Sequence, residues 1–186
     1  MQVSPSMTFP SGPAGYGAKY QASKILAHQA TRDWIEQHKP AFSVVTLHPS
    51  FVLGPSLTRK SATDIDGINA WFWSSMAADA APFPCMVVDV RDVAEAHLQA
   101  AIVPTQRKMT EILLNGYAGT WEPVLSVFKK EFPDLGLAWK SSSSKPSDID
   151  VSRAESVLGM QWRPVEEMFR GLVTQQLHLQ DQKAAV

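Results

Sequence analysis

The segment FSVVTLHPSFVLGPS at residues 42–56 is the feature that most constrains the fold. Its core, Ser43 to Leu47, is β-branched and apolar without a polar/apolar alternation. Such a run is typical of a strand that is buried on both faces, as in a parallel sheet. Pro49 and Gly54–Pro55 then break the strand. Because helices must cover both faces of such a sheet, the segment favours an α/β fold.

A long amphipathic helix is predicted before this strand, from about Tyr20 to Gln37. Apolar residues recur there at three- and four-residue steps: Ala22, Ile25, Leu26, Ala30 and Trp34. Lys39–Pro40 should end the helix, because the residue before a proline is disfavoured in helical geometry. The first 18 residues are rich in Ser, Pro and Gly and are interpreted as loop.

Helices and strands continue to alternate in the second part of the chain. INAWFWSSMA is predicted as helix and DAAPFP as loop, whereas CMVV is predicted as a strand that leads into a helix capped by Asp89 or Asp92. That helix should bury one stripe: Val93, Ala94, His97, Leu98 and Ala101. The order of elements is that of βαβ units and predicts a parallel sheet.

The remaining elements are predicted from their ends. EILLNG is predicted as a short strand, and Thr120 as the cap of a helix that reaches about Phe132. SRAE, from Ser152 to Glu155, matches a capping box on a helix closed by Gly159. A last helix should run from about Val165 to Leu177.

The composition excludes several classes of function. With 45% hydrophobic residues, 19% charged residues and a net charge of −1, the chain is typical of a soluble globular protein and has no basic surface for nucleic acid. No window approaches 18 uninterrupted apolar residues, and the first 18 residues do not match a signal peptide, so no membrane partner is expected. The single Cys85 excludes an internal disulfide and a Cys-based zinc site, so it is interpreted as a small buried hydrophobe. No metal is expected, and a cytoplasmic location is predicted.

The sequence KYQASK places Tyr20 and Lys24 four residues apart, and therefore on one face of the predicted helix. A free phenol has a pKa of about 10 and transfers protons poorly at neutral pH, whereas a nearby ammonium favours the phenolate. The pair is either an exposed polar pair or a proton-transfer device. The motif alone does not decide between these alternatives.

Four blocks in order carry a family resemblance: YQASK, FSVVTLHPSFVLGPSL, VVDVRDVAEAHLQA and SRAESVLG. Over about residues 13–177 the chain resembles the second half of an extended short-chain dehydrogenase/reductase. Within that family it is most similar to the branch of dihydroflavonol, cinnamoyl-CoA and methylglyoxal or ketone reductases. The resemblance implies an incomplete Rossmann-type parallel sheet with an interleaved, smaller C-terminal substrate-binding subdomain.

The resemblance also implies a division of the chain into four segments. Residues 1–56 would be the remaining Rossmann part with the YxxxK helix and the following strand, and residues 57–84 a substrate-region segment. Residues 85–117 would return to the Rossmann sheet, and residues 118–186 would form the substrate-binding subdomain.

The implied activity is reduction of a ketone or aldehyde to an alcohol, or the reverse, on a small-molecule substrate. Tyr20 would donate or accept the proton, and Lys24 would tune it and hold the cofactor ribose. The backbone of Pro49, Ser50, Phe51 and Val52 would contact the nicotinamide, with NADP(H) favoured over NAD(H). The helix that carries Tyr20 could also form a homodimer, as it does in relatives.

Two parts of the family pattern are absent from the sequence. It has no glycine-rich dinucleotide motif, and none of Ser4, Ser6 and Ser11 lies in a strand-like context that would identify a catalytic serine. The chain is therefore interpreted as the C-terminal portion of a reductase. The alternative is a catalytically inactive remnant that acts at most as a binding or dimerisation module.

Overall fold

The computed structural model describes residues 8–104, 108–139 and 148–184. The chain forms two compact units, which are described separately. The first comprises Met1–Thr46 and Pro104–Thr110, and the second comprises Leu47–Val103 and Glu111–Val186. The division into four segments predicted above remains a prediction.

The first unit is dominated by one long helix, α1 (Gly12–His38). It begins eight residues before the predicted start, so the interpretation of residues 12–18 as loop was wrong. Pro13 explains the difference, because a proline in the first helical turn lacks only an amide that would have no helical partner there. The predicted end is confirmed: Lys39 adopts a left-handed conformation with φ of 45°, and its N–H donates to the Ile35 carbonyl.

Strand β1 (Val44–Pro49) pairs with β4 (Met109–Leu114) in a two-stranded sheet. The Val44 amide donates to the Lys108 carbonyl, and six residues later the Ser50 amide donates to the Leu114 carbonyl. Residue numbers therefore rise together along both strands, and the pair is parallel.

A three-stranded sheet lies in the second unit, with the order β2 (Phe51–Leu53), β3 (Met86–Asp89) and β5 (Tyr117–Ala118). β2 and β3 are parallel, with Phe51 opposite Val87, whereas β3 and β5 are antiparallel. The predicted α/β fold with parallel strands is confirmed.

Helices α2 (Gly67–Ser75), α3 (Val90–Ile102), α4 (Glu122–Glu131), α5 (Ser152–Leu158) and α6 (Val165–Ala184) complete the second unit. Its core is rich in aromatic rings, and four of the large buried side chains are Phe72, Trp121, Phe169 and Leu172. Both indoles deepest in this core are hydrogen-bonded: Trp121 Nε1 donates to the Phe83 carbonyl, and Trp139 Nε1 to the Ser75 carbonyl.

Two predicted caps were wrong. α4 begins after Trp121 rather than at Thr120, and the helix has no side-chain cap. Ser152 lies inside α5 instead of capping it, and the Asp150 carboxylate accepts the Ser152 amide at 3.0 Å. The SRAE pattern matched because Ser152 and Glu155 have the spacing of a capping box. The helix, however, begins one residue earlier than that pattern requires, with Val151 at the N-cap position. α6 extends beyond the predicted Leu177 to Ala184.

The stripe predicted for α3 was also wrong. Asp92 and Ala96 are its fully buried residues, whereas Leu98 and Ile102 are more than half exposed. The helix packs through Asp92 because Arg163 pairs with that carboxylate, and the Arg163 backbone amide also donates to it at 3.1 Å. The carboxylate on the buried face of α3 is thus satisfied by two contacts, as a buried charge requires.

Candidate active site

Tyr20 and Lys24 lie on the same face of α1, as their spacing predicts. Lys24 Nζ is 5.4 Å from the centroid of the Tyr20 ring, which is within the range of a cation–π contact. Tyr20 is 56% exposed, and the Lys24 side chain is also exposed. The geometry therefore places an ammonium beside an accessible phenol in the first unit.

The segment from Pro49 to Val52 lies at the carboxyl end of β1. The chain changes sheets here, because Pro49 ends β1 beside β4 while Phe51 begins β2 beside β3. Ser50 is the residue at the junction. In open α/β sheets, ligands bind outside the carboxyl ends of parallel strands, so this segment lies where such a site is expected.

Two buried oxygens at these strand ends lack a hydrogen-bond partner: Ser50 Oγ and Asn115 Oδ1. Ser50 donates its amide to Leu114, so Asn115 lies directly opposite Ser50 in the parallel register. Buried polar groups are normally paired, and leaving one unpaired costs about 1–3 kcal/mol. A nicotinamide carboxamide offers both donors and an acceptor, so these residues fit the polar end of the cofactor that the resemblance implies.

The turn after β2 is rigid. Gly54 has φ of 135°, and its amide and carbonyl are both hydrogen-bonded to the Asn69 side chain, at 3.2 and 2.8 Å. A Cβ at this position would lie 2.9 Å from Val90 Cγ1. Glycine is required here both by the backbone conformation and by the close approach of α3.

Three aromatic side chains follow the strand end: Phe51, Trp71 and Phe83, together termed the aromatic wall. The Phe51 and Phe83 rings are 4.4 Å apart, and the Trp71 ring is 5.3 Å from Phe83 and 6.4 Å from Phe51. Phe83 is buried, whereas Trp71 is 48% exposed. The two aromatic residues differ in exposure: Phe72 is fully buried in the core, whereas the neighbouring Trp71 is half exposed.

Two ion pairs brace the start of α3. Asp89 caps the helix by accepting the Arg91 amide at 2.8 Å, which confirms one of the two predicted caps. Asp89 also binds the Arg91 guanidinium, which reaches Glu167 on α6 at 2.9 Å. These contacts raise the pKa of Arg91 above its ordinary value, chiefly through the hydrogen bonds that its guanidinium donates to Asp89. The second carboxylate, Asp92, is the partner of Arg163 described above.

The single thiol is not a candidate nucleophile. Cys85 is 1% exposed, and burial raises its pKa to about 12. The thiol is therefore neutral at physiological pH, and the interpretation of Cys85 as a buried hydrophobe is confirmed.

Two histidines lie in the elements of this region, His48 in β1 and His97 in α3. His97 is exposed and its Nδ1 lies 2.7 Å from the Val93 carbonyl, one turn away on the same helix. Within the described part of the chain, no group of three His, Cys, Asp or Glu side chains could hold a metal ion. Nor does any helix in residues 8–104, 108–139 or 148–184 combine the length and hydropathy needed to cross a membrane.

Two clefts of about 540 and 470 Å³ lie along α6. Four of the charged side chains that line them are paired: Arg170 binds Glu131 through two bonds of 2.6 and 2.7 Å, and Arg91 binds Glu167. Among the described residues, no buried polar side-chain atom without a partner lines either cleft, in contrast to the strand end with Ser50 and Asn115.

The catalytic serine remains unassigned. Ser4 and Ser6 lie outside the described residues, and Ser11 precedes α1 without a side-chain capping bond. The sequence analysis did not identify Asn115 or Phe83 as candidate site residues. A polar residue that ends the apolar run EILL was the available signal for Asn115, whereas nothing in DAAPFP distinguishes Phe83.

Comparison with known proteins gives relatives over most of the chain. The ketoreductase sphI of Aspergillus fumigatus is 34% identical over 165 residues, which cover 85% of this chain and 49% of the relative. The structure of Gre2 from Candida albicans in complex with NADPH matches 86% of this chain and 51% of its own, with 25% identity and a TM-score of 0.71. The chain is therefore similar to one half of a fungal ketoreductase and shares the fold of Gre2. The resemblance seen in the four sequence blocks is thereby confirmed.

The chain spans about half the length of the relatives that it matches. The yeast methylglyoxal/isovaleraldehyde reductase Gre2, complexed with NADPH, has the same fold at 21% identity, with a TM-score of 0.69 over 86% of this chain. No protein-family model matches the sequence.

Proposed function

We propose that the chain carries the proton-transfer part of an NADP(H)-dependent carbonyl reductase. The observation that carries the proposal is the Tyr20–Lys24 pair, with its ammonium 5.4 Å from the phenol ring in a relative of a ketoreductase. The substrate is a small ketone or aldehyde, or the corresponding alcohol in the reverse direction.

In the direction of reduction, the Tyr20 hydroxyl donates its proton to the carbonyl oxygen of the substrate. The Lys24 ammonium stabilises the phenolate that forms, because a positive charge nearby favours the ionised phenol. The exposure of Tyr20 allows a substrate to reach the hydroxyl. When bound, the cofactor supplies the hydride.

Lys24 and the segment from Pro49 to Val52 are proposed to hold the cofactor. Lys24 would bind the ribose hydroxyls, and the strand end would bind the carboxamide, where Ser50 and Asn115 have unsatisfied oxygens. NADP(H) is favoured over NAD(H) because the matched Gre2 structure from Candida albicans contains NADPH. A cytoplasmic location remains part of this proposal.

The first test compares NADPH and NADH in calorimetric titrations of the purified 186-residue chain. We expect saturable binding, tighter for NADPH. Turnover of a panel of ketones and aldehydes is then followed by the loss of NADPH absorbance. Tyr20→Phe should keep cofactor binding and lower turnover at least about 100-fold, because it removes only the transferable proton.

Tyr16→Phe is the matched control, since Tyr16 is 74% exposed on the same helix. It should leave turnover unchanged. Hydride transfer that survives Tyr20→Phe would show that the assignment of Tyr20 is wrong.

The second candidate function is a binding or dimerisation module without catalysis. The observation in its favour is that α1 exposes the large side chains of Tyr16, Tyr20 and Trp34 in the first unit. Sedimentation velocity distinguishes the two: a folded chain that dimerises but binds neither cofactor is the inactive module. Trp34→Ser should then weaken the dimer, and an unchanged dimer would exclude this face of α1.

A further inference from the structure

Helix α2 carries two adjacent aromatic residues with opposite environments. Phe72 is fully buried and packs against Phe169 at 4.6 Å between ring centroids, whereas Trp71 is 48% exposed. Leaving a large apolar ring half in water forgoes part of the free energy that its burial would give. Packing within this unit therefore explains Phe72 and leaves the exposed face of Trp71 unexplained.

The exposed indole rests on a rigid base. The Trp71 ring meets Phe83 at an interplanar angle of 61°, and Phe83 packs on Phe51 at 4.4 Å. The Phe83 carbonyl accepts the Trp121 indole N–H at 3.1 Å, so the backbone beneath the wall is tied to the core. An aromatic surface that is fixed in this way presents a preformed face to a ligand.

The position of the wall indicates what its occupant is. Phe51 belongs both to the wall and to the strand end that is proposed to hold the carboxamide, so a molecule on the wall lies beside that segment. The three side chains carry no charge, and apart from the indole N–H of Trp71 they offer only stacking and apolar contact. A flat, uncharged group satisfies such a surface better than a small polar one.

We infer that the aromatic wall of Phe51, Trp71 and Phe83 binds the flat apolar part of a carbonyl substrate, such as the ring of an aryl ketone. The identification of the occupant as a carbonyl compound rests on the proposed function. The preference for a flat apolar group rests on the wall alone. Trp71 is the specificity-determining residue, because its exposed face makes the contact.

The experiment follows the indole N–H signals of the ¹⁵N-labelled chain by NMR during titration with 2-acetylnaphthalene. The chain has six tryptophans, and the Trp71 signal is identified by its loss in Trp71→Phe. We expect a saturable shift of the Trp71 signal with 2-acetylnaphthalene and none with acetone at the same concentration. Acetone has the carbonyl group but lacks the flat ring.

Trp34 is the matched control in the same spectrum. It is 44% exposed and stacks on His38 at 4.8 Å, so it resembles Trp71 in exposure and in having an aromatic neighbour. Equal shifts of the two signals, or no shift of either, would overturn the inference. Equal shifts would mean that the naphthalene ring binds to any exposed indole.

Substitutions give a second, independent readout. Trp71→Ala should lower the affinity for 2-acetylnaphthalene about tenfold, which is the upper range for the loss of one aromatic contact. Trp34→Ala should leave the affinity unchanged. Trp71→Leu and Trp71→Phe keep bulk at the position in case the alanine variant does not fold. Phe should retain more affinity than Leu, and equal affinities would contradict an aromatic contact.

Failure of this inference is distinguishable from failure of the proposed function. The titration requires neither NADPH nor turnover. NADPH binding without a specific shift of Trp71 would overturn the aromatic wall alone. A specific shift of Trp71 in a chain that does not bind NADPH would support the wall and count against the proposed cofactor.

Discussion

At the scale of single residues, the buried carboxylate of Asp92 gives a prediction about stability. It is fully buried and receives both the Arg163 guanidinium and the Arg163 backbone amide. Asp92→Asn keeps the shape but removes the charge, and we expect a loss of about 2 kcal/mol in the free energy of unfolding, measured by urea denaturation.

Glu131→Gln is the control for Asp92→Asn, because it removes the charge from an ion pair at the surface, with Arg170. Water already solvates that pair, so Glu131→Gln should lower the free energy of unfolding much less than Asp92→Asn does. Equal losses in the two variants would show that burial of Asp92 does not strengthen its interaction.

Cys85 gives a prediction about pH. Burial raises its pKa from 9.0 to about 12, so the folded chain favours the neutral thiol. This contribution to stability is complete below about pH 9 and is lost as the pH rises from about 9 to about 12. Over that range the free energy of unfolding should fall more steeply for the natural chain than for Cys85→Ala. In the folded chain at pH 8 the thiol should also resist a disulfide reagent, and parallel pH curves would contradict the prediction.

Among the candidate site residues, the sequence predicted the proximity of the pair that depends on local spacing, while the catalytic role of that pair stays a prediction. Tyr20 and Lys24 share a helix face because residues four apart must do so. Asn115 was not found, because its position opposite Ser50 arises from strand pairing between segments about 65 residues apart, which local patterns do not encode.

At the scale of elements, replacing glycine by alanine should have opposite effects on stability after a helix and inside one. Gly159 follows α5 with φ of 66°, and its amide donates to the Glu155 carbonyl at 3.1 Å. Gly159→Ala should destabilise the chain by about 1 kcal/mol, since an L side chain disfavours this conformation. Gly17 lies inside α1 with open space around it, so Gly17→Ala should stabilise the chain by up to about 1 kcal/mol. Thermal unfolding of both variants checks the signs, and a shift in the same direction would contradict the assignment of these conformations.

Elements with strong periodicity or an unbroken β-branched run were predicted well, whereas several of their ends were not. The strand around Val44 and the end of α1 at Lys39 were found, because β-branching and a following proline act locally. The early start of α1 follows from Pro13, a local signal that the prediction did not use. The buried face of α3 includes Asp92, whose partner Arg163 lies 71 residues further along the chain, so a local pattern does not reveal it.

At the scale of the whole molecule, the two units differ in how much apolar surface they bury. α6 buries a run of core side chains in the second unit: Met168, Phe169, Leu172 and Val173. In α1, only Ala22 and Ile35 are buried apolar side chains among those described. Amide hydrogen exchange, followed by mass spectrometry, should therefore be slowest in α6 and much faster in α1. Protection of α1 equal to that of α6 would contradict this difference.

The contrast between Phe72 and Trp71 also has a consequence for how such a chain can evolve. Substitution of Phe72 opens a cavity among packed rings and is selected against through stability. Substitution of Trp71 changes an exposed face and leaves the core closed. Mutations can therefore accumulate at position 71 while the fold persists. Random libraries at this single position would sample new surface chemistry with few unfolded members.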